Sequence, residues 1–238
     1  MHGQGPFRPA ILRSFVMKRS LPALLAALVL SCGLAGTAVA APAATAAQTL
    51  EKAWTAYNIG QYKQVIQMVQ PLASDGNPRA QVLLGRCYEN GLGVNQDLST
   101  AAKWFRLAAD QNDSEAQVLL AYQYELGVGL PRNEAAVADL MRRAADSGNA
   151  EARFNLALYY SQGKYGFPKN PEESFRWAKL AADQGFAQAQ RYVGACYEYG
   201  VGTTQDATTA AQWYSKAAAQ GLEREGNIFA TKREYTMP

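Results

Sequence analysis

Histidine is nearly missing from this 238-residue chain, occurring once as His2. The remainder can build no Ser-His or Cys-His pair and has no imidazole to serve as general base or metal ligand. No His-Glu-x-x-His, phosphate loop or dinucleotide fingerprint is present. The sequence therefore points to no catalytic residue, no cofactor and no metal. Acidic residues are missing from positions 1–40, which hold Arg8, Arg13, Lys18 and Arg19. Taking those four from the 23 basic residues leaves 19 against 20 acidic ones, so the net charge of +3 belongs to the N-terminal segment. Without a surplus of Lys and Arg, the rest of the chain does not suit nucleic acid as its main partner.

That segment reads as an export signal. Lys18-Arg19 precede the apolar run Leu21–Leu30, and small residues come after it, ending in Thr37-Ala38-Val39-Ala40-Ala41-Pro42. Charge, a short apolar core and an Ala-x-Ala site make a secretory signal peptide with cleavage after Ala40. The apolar run is shorter than the about 20 residues of an ordinary membrane span. Met17 is the natural initiator, with Met1–Val16 an over-called start. A rival reading takes Val29-Leu30-Ser31-Cys32 as a lipobox, which lipidates Cys32 and anchors the protein to a membrane. A third keeps the apolar segment as an uncleaved anchor. Residues 41–47 are Ala-rich and read as a loose start to the mature, periplasmic or secreted chain.

The central part of the chain is periodic. Ala80–Asn112 reads AQVLLGRCYENGLGVNQDLSTAAKWFRLAADQN, and Ala116–Gly148, Ala152–Gly185 and Ala189–Gly221 repeat it. The tyrosines at 88, 124, 160 and 197 mark a period of 36, 36 and 37 residues. Each unit holds two segments of helical apolar spacing, A and B, separated by a Gly-x-Gly or Gly-x2-Gly break. Pro78 suits the first turn of the first A helix, and Asp97, Asn133, Asn170 and Asp206 suit N-caps of the B helices. Gly85, Ala121, Ala157 and Gly194, with paired alanines such as Ala108-Ala109, let A and B approach closely. The first B helix packs through Ala101, Ala108 and either Trp104 or Phe105. Cys87 and Cys196 fall at equivalent positions three units apart, beyond disulfide reach, and read as small core residues. The chain divides into a leader (1–40), a loose start (41–47), a degenerate helix pair (48–76), four units (77–112, 113–148, 149–185, 186–221) and a cap and tail (222–238). Pro71 is expected to kink or shorten the second helix of the degenerate pair.

The pattern Ala-x3-Leu-Gly-x2-Tyr-x2-Gly-x-Gly-Val, then Asp, Ala, Trp and Ala-Ala-x2-Gly, is filled at every position from Ala80 to Val94. It resembles the Sel-one-like repeat, a relative of the tetratricopeptide repeat. The resemblance implies an all-α, right-handed α-solenoid of antiparallel helix pairs, with the A helices lining the concave face. Stacking is also required physically, since one helix pair cannot bury its apolar face alone. A cysteine-rich branch of the family staples each unit with a disulfide and has been linked to β-lactam chemistry. This chain lacks those paired cysteines.

Solenoids bind along their inner surface. Taking that surface as the side opposite the Ala, Leu and Tyr positions selects Val82 and Arg86, Val118 and Tyr122, Phe154 and Leu158, and Arg191 and Ala195. Glu89, Glu125, Ser161 and Glu198 come one turn later. Tyr122, Phe154 and Leu158 form an apolar centre with Arg86 and Arg191 on either side, a pattern suited to an extended or acidic peptide. The expectation is an exported, monomeric, non-enzymatic scaffold for a protein or peptide partner. It has no nucleic-acid role and touches a membrane only if Cys32 is lipidated. The alternatives are a cell-wall or β-lactam-directed hydrolase by family analogy, and an accessory lipoprotein of an envelope secretion or polysaccharide machine. Intact mass spectrometry of the exported protein tests the leader: a chain starting at Ala41 is expected, and a mass carrying acyl groups on Cys32 overturns it.

Overall fold

The computed structural model describes residues 41–224 and 229. The expected leader, Cys32, cleavage after Ala40 and most of the 222–238 tail lie outside the described residues. Among the described residues there are ten helices and no strand: α1 (Ala41–Asn58), α2 (Tyr62–Ser74), α3 (Pro78–Asn90), α4 (Leu98–Asp110), α5 (Ser114–Leu126), α6 (Glu134–Asp146), α7 (Ala150–Gln162), α8 (Pro171–Asp183), α9 (Ala187–Tyr199) and α10 (Ala207–Ala218). From α3 onward the odd helices are the A helices and the even ones the B helices. Each packs chiefly on the helices before and after it in the chain, the nearest-neighbour pattern of a solenoid. α1 runs back to Ala41, so the Ala-rich start expected to be loose is helical. α2 continues through Pro71 to Ser74 rather than stopping short.

Local sequence sets the helix ends. Asp97, Asn133, Asn170 and Asp206 cap the B helices with side-chain oxygens that accept backbone N–H groups. Asn77, Asp113 and Asn149 do the same for α3, α5 and α7. Such caps contribute about 1 kcal/mol each. At the start of α9 the position is Phe186, which makes no cap bond. Its ring instead lies 5.6 Å from Phe154. Between units the chain turns through the left-handed region, and Asn112, at φ 64°, takes this conformation where the other described junctions have glycine.

Size matching holds A against B. Phe105 is fully buried and is the ring that packs in the first unit, while Trp104 is only half-buried. A Cβ at Gly85 would lie 2.5 Å from the Phe105 ring, and one at Gly194 would lie 2.9 Å from Tyr214. The same positions in the other units hold Ala121 with Met141 and Ala157 with Ala178, so a smaller B side chain accompanies a larger A one.

Buried polar groups tie each A helix to the preceding B helix. Gln81 donates to the carbonyl of Ala73 at 3.1 Å, Gln117 to Ala109 at 3.4 Å, Arg153 to Ala145 at 3.1 Å and Gln190 to Ala182 at 3.3 Å. These carbonyls lie in the last turns of B helices, where intrahelical donors run out. B-helix cations also reach the next unit's aromatics: Arg106 lies 5.9 Å from the Tyr124 ring, Arg142 5.1 Å from Phe167, and Lys179 5.0 Å from Trp213.

Cys87 and Cys196 are free and buried. Burial raises their thiols to about 11 and about 12, because a low-dielectric surrounding disfavours the thiolate. Unfolded thiols ionise near 9.0, so these two groups make folded stability fall as pH rises above that value. At pH 8 both are expected to resist iodoacetamide in the native protein and to react in denaturant. Modification of either in the folded chain, mapped by peptide mass, contradicts their core placement.

The second glycine of the inter-helix turn has a separate role. A Cβ at Gly202 would meet the Pro171 carbonyl oxygen at 2.1 Å, and one at Gly129 would meet that of Leu98 at 2.3 Å, whereas Gly166 has nothing within 4 Å. Gly166 comes after the extra residue of the third linker, which carries its chain away from the preceding B helix. Gly202 and Gly166 share similar positive φ, 69° and 77°, so backbone strain largely cancels between them. Gly202→Ala is therefore expected to lose about 1–3 kcal/mol more than Gly166→Ala in urea unfolding. Equal losses contradict the close-approach account.

Candidate partner-binding face

Stacking divides the eight residues selected by sequence into two groups. Val82, Val118 and Ala195 are buried, at 2%, 3% and 2% exposure. They correct the expectation of a continuous surface stripe: in Val82 and Val118 the side chain joins the core that spans successive units, so it is unavailable to a partner. Arg86, Tyr122, Phe154, Leu158 and Arg191 are half-buried. The open stripe of the A helices shares Tyr122 and Leu158 with the selected residues and otherwise lies to one side of them, taking in Glu115, Leu119 and Leu126 on α5, and Glu151, Asn155 and Gln162 on α7. Leu126 is 51% exposed, one of three large apolar side chains so placed among the described residues, with Ile59 and Leu107.

Arg86, Tyr122 and Phe154 are each engaged by a residue of the next unit. An Arg86 side-chain nitrogen donates to Glu115 at 2.7 Å, and the Tyr122 hydroxyl donates to Glu151, also at 2.7 Å. In both cases a residue late in one A helix reaches the first turn of the next, a sequence separation of 29. Asn155 donates to the Tyr122 oxygen at 2.8 Å. Tyr122 thus sits between a carboxylate and an amide, and burial first, then Glu151, pushes its hydroxyl well above the ordinary tyrosine range. It is a neutral donor at any physiological pH. Phe154 is 5.6 Å from Phe186 and 5.8 Å from Tyr192.

The residues one turn later are likewise engaged. Glu89 accepts from Gln123 at 3.4 Å, and burial raises its carboxyl. Glu125 accepts from the Tyr165 hydroxyl at 2.6 Å, and Glu198 from the Tyr214 hydroxyl at 2.7 Å and from Arg224. Tyr165 reaches Glu125 from the third linker, where it adopts a positive φ of 54°. Ser161 donates to the Leu158 carbonyl of its own helix.

Glu115, Glu151, Asn155, Leu126 and Phe186 were not selected from sequence. The 29-residue pairing of Arg86 with Glu115 and of Tyr122 with Glu151 was available there as a second spacing within the repeat. Asn155 and Phe186 had no such signal. Among the described residues no three His, Cys, Asp or Glu side chains are placed to share a metal ion, and no helix is long and apolar enough to cross a membrane. The face offers apolar contact, a neutral hydroxyl, amides and two exposed carboxylates.

The Sel1 repeat matches residues 78–113, 114–149, 150–186 and 187–222. Chitin synthase regulatory factor 3 of Schizosaccharomyces pombe is 32% identical over 151 residues, an alignment that spans 63% of this chain and 12% of that protein. The chitin synthase regulator SKT5 of Malassezia restricta is 38% identical over 69 residues, covering 29% of this chain and 5% of that one. The chain thus spans only a small part of the curated relatives it matches. Among solved structures, a Sel1 repeat protein from Oxalobacter formigenes is 30% identical with a TM-score of 0.64, covering 73% of this chain and 71% of that one. A protective antigen of uropathogenic Escherichia coli strains, displaying an SLR fold, is 30% identical with a TM-score of 0.66, covering 76% of this chain and 40% of that one. With four consecutive matches spanning residues 78–222, this chain belongs to the Sel1 repeat family.

Proposed function

We propose that the chain is an exported, non-enzymatic scaffold that binds an extended segment of a protein partner along the open stripe of its A helices. The observation that carries this reading is Leu126, exposed at 51% on that stripe beside Tyr122, while Gln123, one turn before it on the framework side, is buried. Leu119, Tyr122 and Leu126 fall at i, i+3 and i+7, so the exposed leucine extends a shared apolar face, with Glu115, Glu151 and Asn155 at its edges, that a partner segment can cover. Family relatives named as regulators of chitin synthase fit a role in which the repeats contact another protein. Export rests on the Lys18-Arg19, Leu21–Leu30 and Ala38-Val39-Ala40 pattern, and the setting proposed is the bacterial envelope or beyond.

The expected preference for an acidic partner is weakened by the pairing of Arg86 with Glu115. The stripe also presents Glu151, so apolar anchoring with hydrogen bonds at the edges describes it better than anion recognition. Leu126→Glu combined with Leu158→Glu is expected to reduce partner capture from envelope extract by about tenfold or more, since each buried leucine contributes about 1.5–3 kcal/mol. The helical circular-dichroism signal should be unchanged. Capture that survives both substitutions removes the stripe as the binding surface.

A further inference from the structure

The last unit departs from the others in what covers it. No fifth unit succeeds α10 among the described residues, yet on α9 Tyr192 is 5% exposed and Ala195 2% exposed. Tyr192, Ala195 and Tyr199 fall at i, i+3 and i+7, one face of the helix. They are the counterparts of Leu119, Tyr122 and Leu126 on the open stripe of α5. Against this face lies Phe229, with ring centroids 5.3 Å from Tyr192 and 6.4 Å from Tyr199, both edge-to-face. Phe154 contacts the same Tyr192 ring at 5.8 Å, and Phe186 contacts Phe154, so Phe229 completes a connected series of five rings. Alanine at 195, where the other units carry Arg86, Tyr122 and Leu158, keeps the middle of the face low between two tyrosines.

From this arrangement we infer that Tyr192, Ala195 and Tyr199 form a binding site for an aromatic side chain of an extended polypeptide, and that the chain's own Phe229 occupies it. The inference rests on the scaffold reading above and narrows it: the partner brings an aromatic anchor to the C-terminal end of the stripe and must displace Phe229 to do so. Edge-to-face geometry favours Phe, Tyr or Trp over an aliphatic anchor, because the attraction between the edge of one ring and the face of another has no aliphatic equivalent. Occupation from within the same chain holds the competing ring at an effective concentration on the order of millimolar. An outside peptide of weaker intrinsic affinity is therefore excluded, and only one with further contacts along the stripe succeeds.

The test uses a fluorescein-labelled synthetic peptide with the sequence of residues 222–234, in which Phe229 is the one aromatic residue, and the same peptide with alanine in place of its phenylalanine. Fluorescence anisotropy is measured against the wild-type protein and against Phe229→Ala, with circular dichroism to verify that both are folded. The Phe229→Ala chain is expected to bind the phenylalanine peptide about tenfold more tightly than wild type does, the scale of one or two ring contacts. The alanine peptide should bind neither. Adding Tyr199→Ala to Phe229→Ala should return binding to the wild-type level. Equal affinity for wild type and Phe229→Ala, or equal binding of both peptides, overturns the site. The Leu126 and Leu158 capture experiment reads the scaffold separately: peptide binding without partner capture leaves the aromatic site standing and removes the scaffold, and the converse removes only the aromatic site.

Discussion

Each A helix is held between two B helices, that of its own unit and that of the unit before, and the rest of the architecture depends on this double contact. It explains why α5 buries Ala116, Gln117, Val118, Leu120, Ala121 and Gln123, residues that surround the helix rather than form one stripe. A helix so enclosed carries polar groups inside the stack. Gln81, Gln117, Arg153 and Gln190 donate to carbonyls near the ends of the preceding B helices, while the side-chain oxygens of Gln117 and Gln123 are buried without a hydrogen-bond partner. Each bond is worth about 1 kcal/mol net, and leaving its buried groups unpaired would cost more. Enclosure also leaves the A helix a narrow open strip, which is where partner chemistry can reside.

The third unit accommodates an exception. Its linker has one extra residue, and the close approach made by Gly129 and Gly202 is absent at Gly166. The added length is absorbed by aromatic packing. Phe167 is buried at 4%, its ring 5.0 Å from Tyr160 and 6.0 Å from Tyr159. Tyr165 stands 4.6 Å from Tyr159 and bonds Glu125. A linker that elsewhere works through glycine here works through side chains, and the period passes from 36 to 37 residues without disturbing the helices on either side.

The repeating parts of the fold were legible because they repeat. The tyrosine spacing, the B-helix caps and Pro78 at the start of α3 each rest on local physics visible in four copies or in one strong residue. The choice between Trp104 and Phe105 was not legible, since neighbouring helical residues differ in direction by about 100° and both are large and apolar. The candidate face selected by sequence includes one row, Val82 and Val118, that the structure buries. Val82 and Val118 look surface-directed on a single helix, and only the stacking of the next unit covers them. Phe229 was beyond reach for another reason: its contacts with Tyr192 and Tyr199 join residues that no periodicity relates.

The pairing of Arg86 with Glu115 and of Tyr122 with Glu151 brings the A helices of neighbouring units side by side. Packed helices sit about 8–10 Å apart, while a polyproline-II segment advances about 3.1 Å per residue and brings every third side chain to the same face. A ligand strand laid across the array therefore passes one unit for roughly every three of its residues. In the binding mode proposed above, the stack is a ruler that reads side chains at every third position and ignores those between, with Tyr199 and Phe229 at one end of its scale.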